Sequence, residues 1–419
     1  MANNFENPEV FMEVAKAAAG HYADSYAVKL LAFSENATYL VYDPATDEKL
    51  FVLRVGRPGY HTREEYESEI SWLRQINDYT PLKVANPIPA SDGSYIQEIE
   101  KDKVTYFCIA TEFLTGETLE HDNSPEAAPA HFRTLGETTA YLHRQTEIWN
   151  GTKDIKRFHW DYENMIGENA VWGNWRDYPD LYPEAEAKIE RCCQIIKARL
   201  DRYGKTDLNY GVIHADLRDT NILVDGDVIK VIDFDDFGFG WHLHDLAGAL
   251  TFIEDREDVP DLVNAWLDGY RKVLPFTDTD FVEIDTFILQ RRIQMMAWMG
   301  SHQDSTPRSG IYAGVYGRHH EFGGALPAPF RLNADRTTRL DPATSVHRGH
   351  PPKALPLCGL LIRMNERENT YEGNRDHYQW RQTRARKAHP FRLQQERHFR
   401  EPGFWLRSSA GLPSGVHAR

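Results

Sequence analysis

Residues Gly211–Gly240 read GVIHADLRDTNILVDGDVIKVIDFDDFGFG, and the rest of the chain is interpreted outward from them. This stretch contains two short apolar runs, ILV and VIKVI, with DGD between them. Because aspartate and glycine tolerate the positive φ of a tight turn, the pattern predicts a β-hairpin. The hairpin would bring Asn221, which precedes its first strand, close to Asp233, which follows its second strand.

Three oxygen-bearing side chains would meet at this end of the hairpin, because Asp216 lies on the loop that leads into it. Phosphoryl transfer needs such a set: two oxygen ligands for Mg²⁺ and one carboxylate that accepts a hydroxyl proton. Arg218 follows two residues after Asp216 and puts a cation where a γ-phosphate could sit. The alternative is an acidic hairpin that serves only the structure.

The order of these residues resembles the catalytic core of the aminoglycoside phosphotransferase/choline kinase family, whose members are relatives of the protein kinases. The resemblance rests on the pattern H-x-D-x-x-x-x-N from His214 to Asn221, then a hairpin, then I-D-F-D. It implies that Asp216 is the catalytic base, that Asn221 and Asp233 hold Mg²⁺, and that ATP is the phosphate donor. It also implies that His214 braces the catalytic loop. The resemblance covers about residues 8–302.

The predicted elements give an α+β fold, and the resemblance implies that it is of the protein-kinase-like, two-lobed type. An N-lobe over residues 1–114 would bind the nucleotide, and a mainly helical C-lobe over residues 115–302 would carry the catalytic and substrate-binding groups. Residues 86–93 read as a turn-rich connector. The predicted strands, which form a five-stranded antiparallel sheet, are 26–33, 38–42, 50–55, 95–99 and 104–112. The predicted helices are 8–19, 61–76, 127–143, 182–203, 259–274 and 278–300.

Five N-lobe residues are candidates for contact with the nucleotide. Asn36 lies in a short turn, S-x-N-x-x-Y, that resembles the nucleotide-covering loop of the aminoglycoside kinases but could be a simple turn. Arg54 stands where kinases carry a phosphate-pairing lysine, and Glu69 is expected to pair with it; alternatively, both face solvent. Glu112 and Leu114 occupy the position of the kinase hinge, whose backbone groups would meet the adenine edge.

These motifs do not identify the molecule that accepts the phosphate. The dipeptide Arg57-Pro58 and the tripeptide AWM at 297–299 look similar to the bacterial stress-response kinases of this family, which phosphorylate protein serine or threonine. The main expectation is transfer to a hydroxyl of a small molecule of the amino-alcohol, amino-acid or aminoglycoside type. The alternatives are such a protein kinase and an inactive nucleotide-binding pseudokinase, which the arginine at position 54 favours.

Several residues that could be mistaken for catalytic ones are predicted to be structural. His143 lies late in a helix and is expected to be packed. Asp245 is expected to be a buried cap that holds the catalytic loop in place. Aromatic residues at 158–162 and 172–175 could stack on a cationic substrate, but their density favours the core.

The net charge of −15 is unevenly distributed along the 419 residues. The chain from Asp304 on carries a surplus of +9, which leaves −24 for the part before it. Such an acidic body argues against a nucleic-acid partner. The basic tail, residues 303–419, is expected to be disordered or not native to the protein, with an adaptor role as the alternative.

The sequence predicts a cytoplasmic protein. Its four cysteines have neither metal-ligand nor redox spacing, and no signal peptide or membrane span is recognisable.

Overall fold

The computed structural model describes residues 7–33, 36–122, 124–179 and 181–301. The helices are α1 (Pro8–Ala19), α2 (Arg63–Tyr79), α3 (Ala128–Ile148), α4 (Tyr162–Met165), α5 (Pro183–Tyr203), α6 (Leu243–Ala249), α7 (Val259–Tyr270) and α8 (Asp278–Ser301). The strands are β1 (Ala27–Phe33), β2 (Ala37–Tyr42), β3 (Lys49–Val55), β4 (Lys83–Val84), β5 (Pro87–Ile88), β6 (Ile96–Lys101), β7 (Val104–Thr111), β8 (Glu117–Thr118), β9 (His159–Trp160), β10 (Tyr210–Ile213), β11 (Ile222–Asp225), β12 (Val228–Val231) and β13 (Gly238–Trp241).

The N-lobe sheet is antiparallel, as predicted, but it has one strand more than the five that were predicted. Among the described residues it has six strands in the order β1-β2-β3-β7-β5, with β6 also paired to β7. The added strand, β5, lies in the segment that was predicted to be a connector. Pro87 pairs with Thr111, and the preceding Asn86 accepts a hydrogen bond from Glu112 N at 2.9 Å. A two-residue strand that begins with proline has no alternating pattern by which to recognise it.

Helix α1 covers one face of this sheet. Its buried residues pack with strand residues such as Tyr39 and Leu53 into one apolar cluster. The helix begins after Asn7, whose side chain accepts a hydrogen bond from Glu9 N at 3.0 Å. Burial of this face supplies the apolar area that stabilises the lobe.

Helix α2 carries Glu69 and is fixed at its start by a capping box. The Thr62 hydroxyl accepts a hydrogen bond from Glu65 N, and the Glu65 carboxylate accepts one from Thr62 N at 2.7 Å. Trp72 anchors the helix to the C-lobe, because its indole N–H donates to the Gln145 side chain at 2.8 Å. The position of Glu69 is therefore set by both lobes.

The predicted hairpin is confirmed and lies at the junction between the lobes. β11 and β12 pair antiparallel with Ile222 opposite Val231. β4, from the N-lobe, pairs in parallel with β12, and β8 pairs with β11 on the other side. A second small sheet has the order β10-β13-β9 and lies next to the catalytic loop.

The helices of the C-lobe approach closely where glycine allows it. A Cβ atom at Gly136 of α3 would collide with the backbone oxygen of Trp266 in α7. A Cβ atom at Gly269 of α7 would in turn collide with the backbone oxygen of Arg133. The backbones of α3 and α7 are therefore in contact at these two positions, and only glycine leaves room for this close packing.

The core position predicted for the aromatic segments is confirmed for their three tryptophans, whereas Phe158 and Tyr162 are half-buried. Cys108, Cys192 and Cys193 are buried free thiols. Trp160, at 1% exposure, packs in the core, as do Trp172 and Trp175. Cys358 and the predicted basic tail, residues 303–419, lie outside the described residues. Of the described helices, none combines the length and apolar composition needed to cross a bilayer.

We expect Gly136→Ala to destabilise the protein by about 1–3 kcal/mol, because the added methyl group forces α3 and α7 apart. In an uncrowded helix the same change stabilises by about 0.5–1 kcal/mol. The measurement is the midpoint of urea unfolding. Gly248→Ala in α6 is the control, since its Cβ would meet its nearest neighbour, Ala215 O, at an ordinary 3.6 Å. A midpoint for Gly136→Ala at or above that of the control would contradict the close packing.

Candidate active site

The catalytic loop turns sharply at Ala215, between His214 and Asp216. Ala215 has a φ of 70°, a left-handed conformation that costs a non-glycine residue about 1–2 kcal/mol. The buried carboxylate of Asp245 offsets this strain. It accepts hydrogen bonds from His214 N at 3.1 Å and from Ala215 N at 2.7 Å. The prediction that Asp245 is buried and holds the loop is confirmed, although the aspartate caps the loop and not the start of α6.

His143 completes the environment of Asp245. Its Nε2 lies 3.0 Å from Asp245 Oδ2, and its Nδ1 lies 3.0 Å from the Tyr270 hydroxyl. Burial alone would raise the pKa of Asp245, but the hydrogen bond and charge of His143 lower it to about 2. The carboxylate is therefore ionised at neutral pH. The expectation that His143 is packed, not catalytic, agrees with its 1% exposure.

His214 connects the loop to the hairpin. Its Nε2 lies 3.1 Å from Ile232 O, which can only accept, so Nε2 donates. Its Nδ1 then accepts from Asp216 N at 3.4 Å. Burial lowers the pKa of His214, which agrees with this neutral ring. Ile232 N also donates to Asn221 O at 3.1 Å, so the two ends of the hairpin are held together beside Asp216.

The carboxylate of Asp216 is surrounded by donors. Arg291 Nη2 donates to its Oδ1 at 2.6 Å, and Asn221 Nδ2 lies 3.3 Å from its Oδ2. Arg218 Nε is 3.6 Å from the same Oδ2, an ion pair without a hydrogen bond. The Asp216 side chain is 19% exposed, so the carboxylate remains accessible. The structure thus brings Asp216, Arg218 and Asn221 together as the sequence predicts.

Asp233 stands directly after the hairpin; the residue is exposed, although protein atoms surround its carboxylate. Its φ is 65°, again left-handed, at a position where strain is often functional. Desolvation by the surrounding protein and the charges of Asp235 and Asp216 raise the pKa of Asp233 to about 7. A carboxylate crowded by like charges fits a cation. Asn221 uses its amide NH₂ on Asp216, which leaves its amide oxygen as a second hard ligand.

Arg54 forms the predicted pair with Glu69, at 2.6 Å between Nη2 and Oε2. Its Nη2 also lies 3.5 Å from Asp235 Oδ1. Burial opposes the ionisation of Asp235, but the Arg54 guanidinium and the hydrogen bond of His61 hold its pKa well below the usual range. Arg54 Nε has no hydrogen-bond partner within the described ranges. The guanidinium is therefore fixed on one side and has a donor left on the other, which fits an anion such as a phosphate.

The hinge residues keep only part of their backbone hydrogen-bonding capacity. Glu112 N already donates to Asn86 O at 2.9 Å, and the Glu112 side chain accepts from Asn86 Nδ2 at 2.8 Å. Among the described residues, the carbonyl of Glu112 and the N–H of Leu114 form no backbone hydrogen bond, and these are the groups predicted to meet an adenine edge. In the candidate covering loop, Asn36 Oδ1 accepts from Arg57 N at 3.0 Å, whereas residues 34–35 are not described.

Two arginines of this region were not predicted. Arg291, at 1% exposure, holds Asp216, and Arg157, at 7%, contacts Glu69. Arg291 could have been found, because it lies four residues from both Phe287 and Met295 on the buried face of α8. A cation on an apolar face needs a partner. Arg157 precedes β9 in irregular structure, where no periodic pattern marks a buried residue.

The two lobes and the catalytic loop define a protein of the kinase-like fold. A family model described as the phosphotransferase enzyme family matches residues 29–278, and the chain belongs to this family. The amicoumacin kinase of Bacillus subtilis (strain 168) is 26% identical over 236 residues, which cover 56% of this chain. The match spans 65% of the length of that kinase. An uncharacterised protein of Deinococcus radiodurans is 27% identical over 259 residues, 60% of this chain and 71% of that protein.

Solved structures show the same fold. The microcompartment-associated aminopropanol kinase is 32% identical with a TM-score of 0.64, and the match covers 74% of this chain and 94% of that chain. The amicoumacin kinase hAmiN, in complex with AMP-PNP, Ca²⁺ and Ami, is 21% identical with a TM-score of 0.57. That match covers 74% of this chain and 91% of the other, and at this identity it concerns the fold alone.

We expect Asp245→Asn to cost about 2–4 kcal/mol of stability, because an amide has one acceptor oxygen for three N–H donors. The measurement is urea unfolding at neutral pH. Asp268→Asn is the control: it makes the same chemical change at an exposed ion pair, 3.9 Å from Arg133, and should cost less than about 0.5 kcal/mol. Equal costs for the two variants would show that Asp245 does not support the loop.

Proposed function

We propose that the protein is an ATP-dependent phosphotransferase that moves the γ-phosphate of ATP to a hydroxyl group of a small molecule. The observation that carries the proposal is the meeting of Asp216, Asn221 and Asp233 at one end of a hairpin between two lobes. Asp216 accepts the hydroxyl proton, since its carboxylate is ionisable, held in place and partly exposed. Residues 1–114 form the nucleotide-binding lobe, and residues 115–302 form the catalytic and substrate-binding lobe.

Asn221 and Asp233 would hold Mg²⁺ in this proposal. One amide oxygen and one carboxylate suit an ion that takes its other ligands from water and phosphate oxygens. No group of three or more His, Cys, Asp or Glu side chains in the described part of the chain could hold a metal ion. The bound ion would neutralise the charge that develops on the phosphoryl group.

Arg54 and Arg218 would contact the phosphates. Each has an Nε without a hydrogen-bond partner in the described segments, and each is oriented by a carboxylate. The Glu112 carbonyl and the Leu114 amide would meet the adenine edge, and Asn36 belongs to the loop that would cover the nucleotide. Arginine in place of lysine at residue 54 is compatible with this role, because its charge is permanent and its fork can bind two oxygens.

The acceptor in our proposal is an amine-bearing alcohol. The support is the similarity to an aminopropanol kinase and to an amicoumacin kinase, both named for small substrates. A protein serine/threonine kinase remains the second candidate, because the Arg57-Pro58 and AWM motifs look similar to those of the stress-response kinases. An inactive pseudokinase is disfavoured, because Asp216, Asn221 and Asp233 are all present and Arg54 keeps its pair with Glu69.

We expect ATP with Mg²⁺ to raise the melting temperature of the native protein by several degrees and to leave that of Asp233→Ala unchanged. The loss follows from the missing metal ligand, since binding to the folded state alone raises its stability. Asp227→Ala is the matched control, because that exposed aspartate lies at the opposite end of the same hairpin. Adding EDTA should reduce the shift of the native protein. A full shift in Asp233→Ala would contradict the assigned ligand.

We expect Asp216→Asn to lower kcat by about 10²–10⁴-fold with little change in the KM for ATP, because an amide cannot accept the hydroxyl proton. The assay is transfer from labelled ATP to 1-amino-2-propanol, homoserine, choline, an aminoglycoside and a protein substrate. Asp227→Asn should behave as the native protein. Transfer to the protein substrate alone would favour the second candidate. Native turnover by Asp216→Asn would exclude the residue as the base.

A further inference from the structure

Four charged side chains form a largely buried cluster between α2 and the segment that follows β12. They are Arg54, Glu69, Arg157 and Asp235. Two positive and two negative charges balance, which is the condition under which charges are tolerated away from water. Of the two arginines, Arg54 has a part in the proposed function and Arg157 has none. Its side chain is 0% exposed, so its charge serves the interior of the protein.

The guanidinium of Arg157 reaches three separate segments. Its Nη2 donates to Glu69 Oε2 at 2.9 Å, and its Nη1 donates to Asp235 O at 2.6 Å. Nη1 also lies 2.7 Å from Nε2 of His61, just before α2. The plane of the group lies over the Phe237 ring, 4.1 Å from its centre. Packing and hydrogen bonds therefore hold the guanidinium in a single orientation.

These contacts join the two ends of the proposed nucleotide site. Glu69 accepts from Arg157 and from Arg54 on the same oxygen, so the position of one guanidinium limits that of the other. Asp235 is two residues beyond Asp233, and Arg157 holds its backbone carbonyl. One C-lobe side chain thus connects the N-lobe cation with the loop that carries the candidate metal ligand.

We propose that Arg157 is a positioning residue that sets the spacing between Arg54 and Asp233, so that both can engage one nucleotide–metal complex. This inference rests on the proposed function and goes beyond it, because Arg157 itself touches neither nucleotide nor metal. In the absence of the guanidinium, Glu69 keeps Arg54 but loses its own hydrogen bond to the C-lobe. The contact of His61 with Asp235 O at 2.9 Å and the Arg54–Asp235 ion pair at 3.5 Å then remain between the N-lobe and the Asp233 loop, so their spacing is held less firmly.

A lysine cannot replace this function fully. Its single ammonium group could reach Glu69 or the Asp235 carbonyl, whereas the planar fork of arginine bonds both at fixed separation. Arg157→Lys should therefore recover the charge balance and part of the stability, but not the spacing. Arg157→Met keeps the apolar contact and removes all of the hydrogen bonds.

The chain offers a matched control in Arg199. It is 3% exposed and, like Arg157, donates to a carboxylate and to a backbone carbonyl, here Glu283 at 2.9 Å and Val282 at 3.0 Å. These contacts join α5 to α8 and involve none of the four residues of the charged cluster. Arg199→Met therefore removes an equivalent buried guanidinium without touching the link between Arg54 and Asp233.

The experiment measures two quantities on the full chain of the native protein, Arg157→Lys, Arg157→Met and Arg199→Met. The first is backbone hydrogen–deuterium exchange of the nucleotide-free proteins. We expect faster exchange in residues 63–79 for Arg157→Met and unchanged exchange there for Arg199→Met, which should respond in α5 and α8. The second is the affinity for ATP with Mg²⁺ by titration calorimetry. We expect a loss of at least tenfold for Arg157→Met, a smaller loss for Arg157→Lys, and none for Arg199→Met.

The two readouts separate the two proposals. Failure of the native protein to bind ATP with Mg²⁺ would contradict the kinase function, whatever the variants do. Native binding together with unchanged α2 exchange and unchanged affinity in both Arg157 variants would overturn the positioning role alone. An equal loss of affinity in Arg199→Met would reduce the effect to general destabilisation and would also overturn it. If Arg157→Met does not fold, Arg157→Lys is compared with Arg199→Met instead. Weaker ATP binding and faster α2 exchange in Arg157→Lys alone would support the positioning role, and equal behaviour of the two variants would overturn it.

Discussion

The candidate site depends on one buried carboxylate. Asp245 keeps the catalytic loop in a left-handed turn at Ala215 by accepting two consecutive backbone N–H groups. Without this acceptor the two amides would be buried and unsatisfied, and the turn would relax to a conformation that points Asp216 elsewhere. His143 then fixes the carboxylate from α3, so the loop is held by side chains of two helices, α3 and α6. An interior hydrogen-bond network therefore fixes the loop from behind, and the contacts of His214 and Asn221 with Asp216 fix it from within.

Local patterns allowed most of the fold to be predicted. The hairpin and the apolar faces of the long helices are each encoded within a few residues, so their existence followed from spacing, although α3 extends beyond its predicted end at residue 143. The sixth strand, β5, was not predictable, because two residues that begin with Pro87 join the sheet only through the register of β7. Tertiary pairing, not local preference, makes this strand.

The candidate site likewise combines residues that local sequence predicts with residues that only the tertiary structure brings together. Asp216, Asn221 and Asp233 are close in sequence, and the turn between them brings them together. Arg157 and Arg291 are distant from the residues that they contact, by 88 positions to Glu69 and 75 to Asp216. A single sequence carries no signal for such pairs except a charge that interrupts an apolar face, which α8 shows and the loop before β9 does not. The pair of Arg54 with Glu69 was predicted only because a known kinase arrangement suggested it.

The arginine of β3 has a consequence for the reagents that can detect this protein. Acyl-phosphate derivatives of nucleotides mark their targets by acylating an amine beside the phosphates. A guanidinium remains protonated at any physiological pH and does not act as the acyl acceptor. At the proposed phosphate site, Arg54 therefore replaces a reactive amine with an inert cation. A reagent that depends on lysine acylation would therefore find no acceptor at residue 54 of this protein.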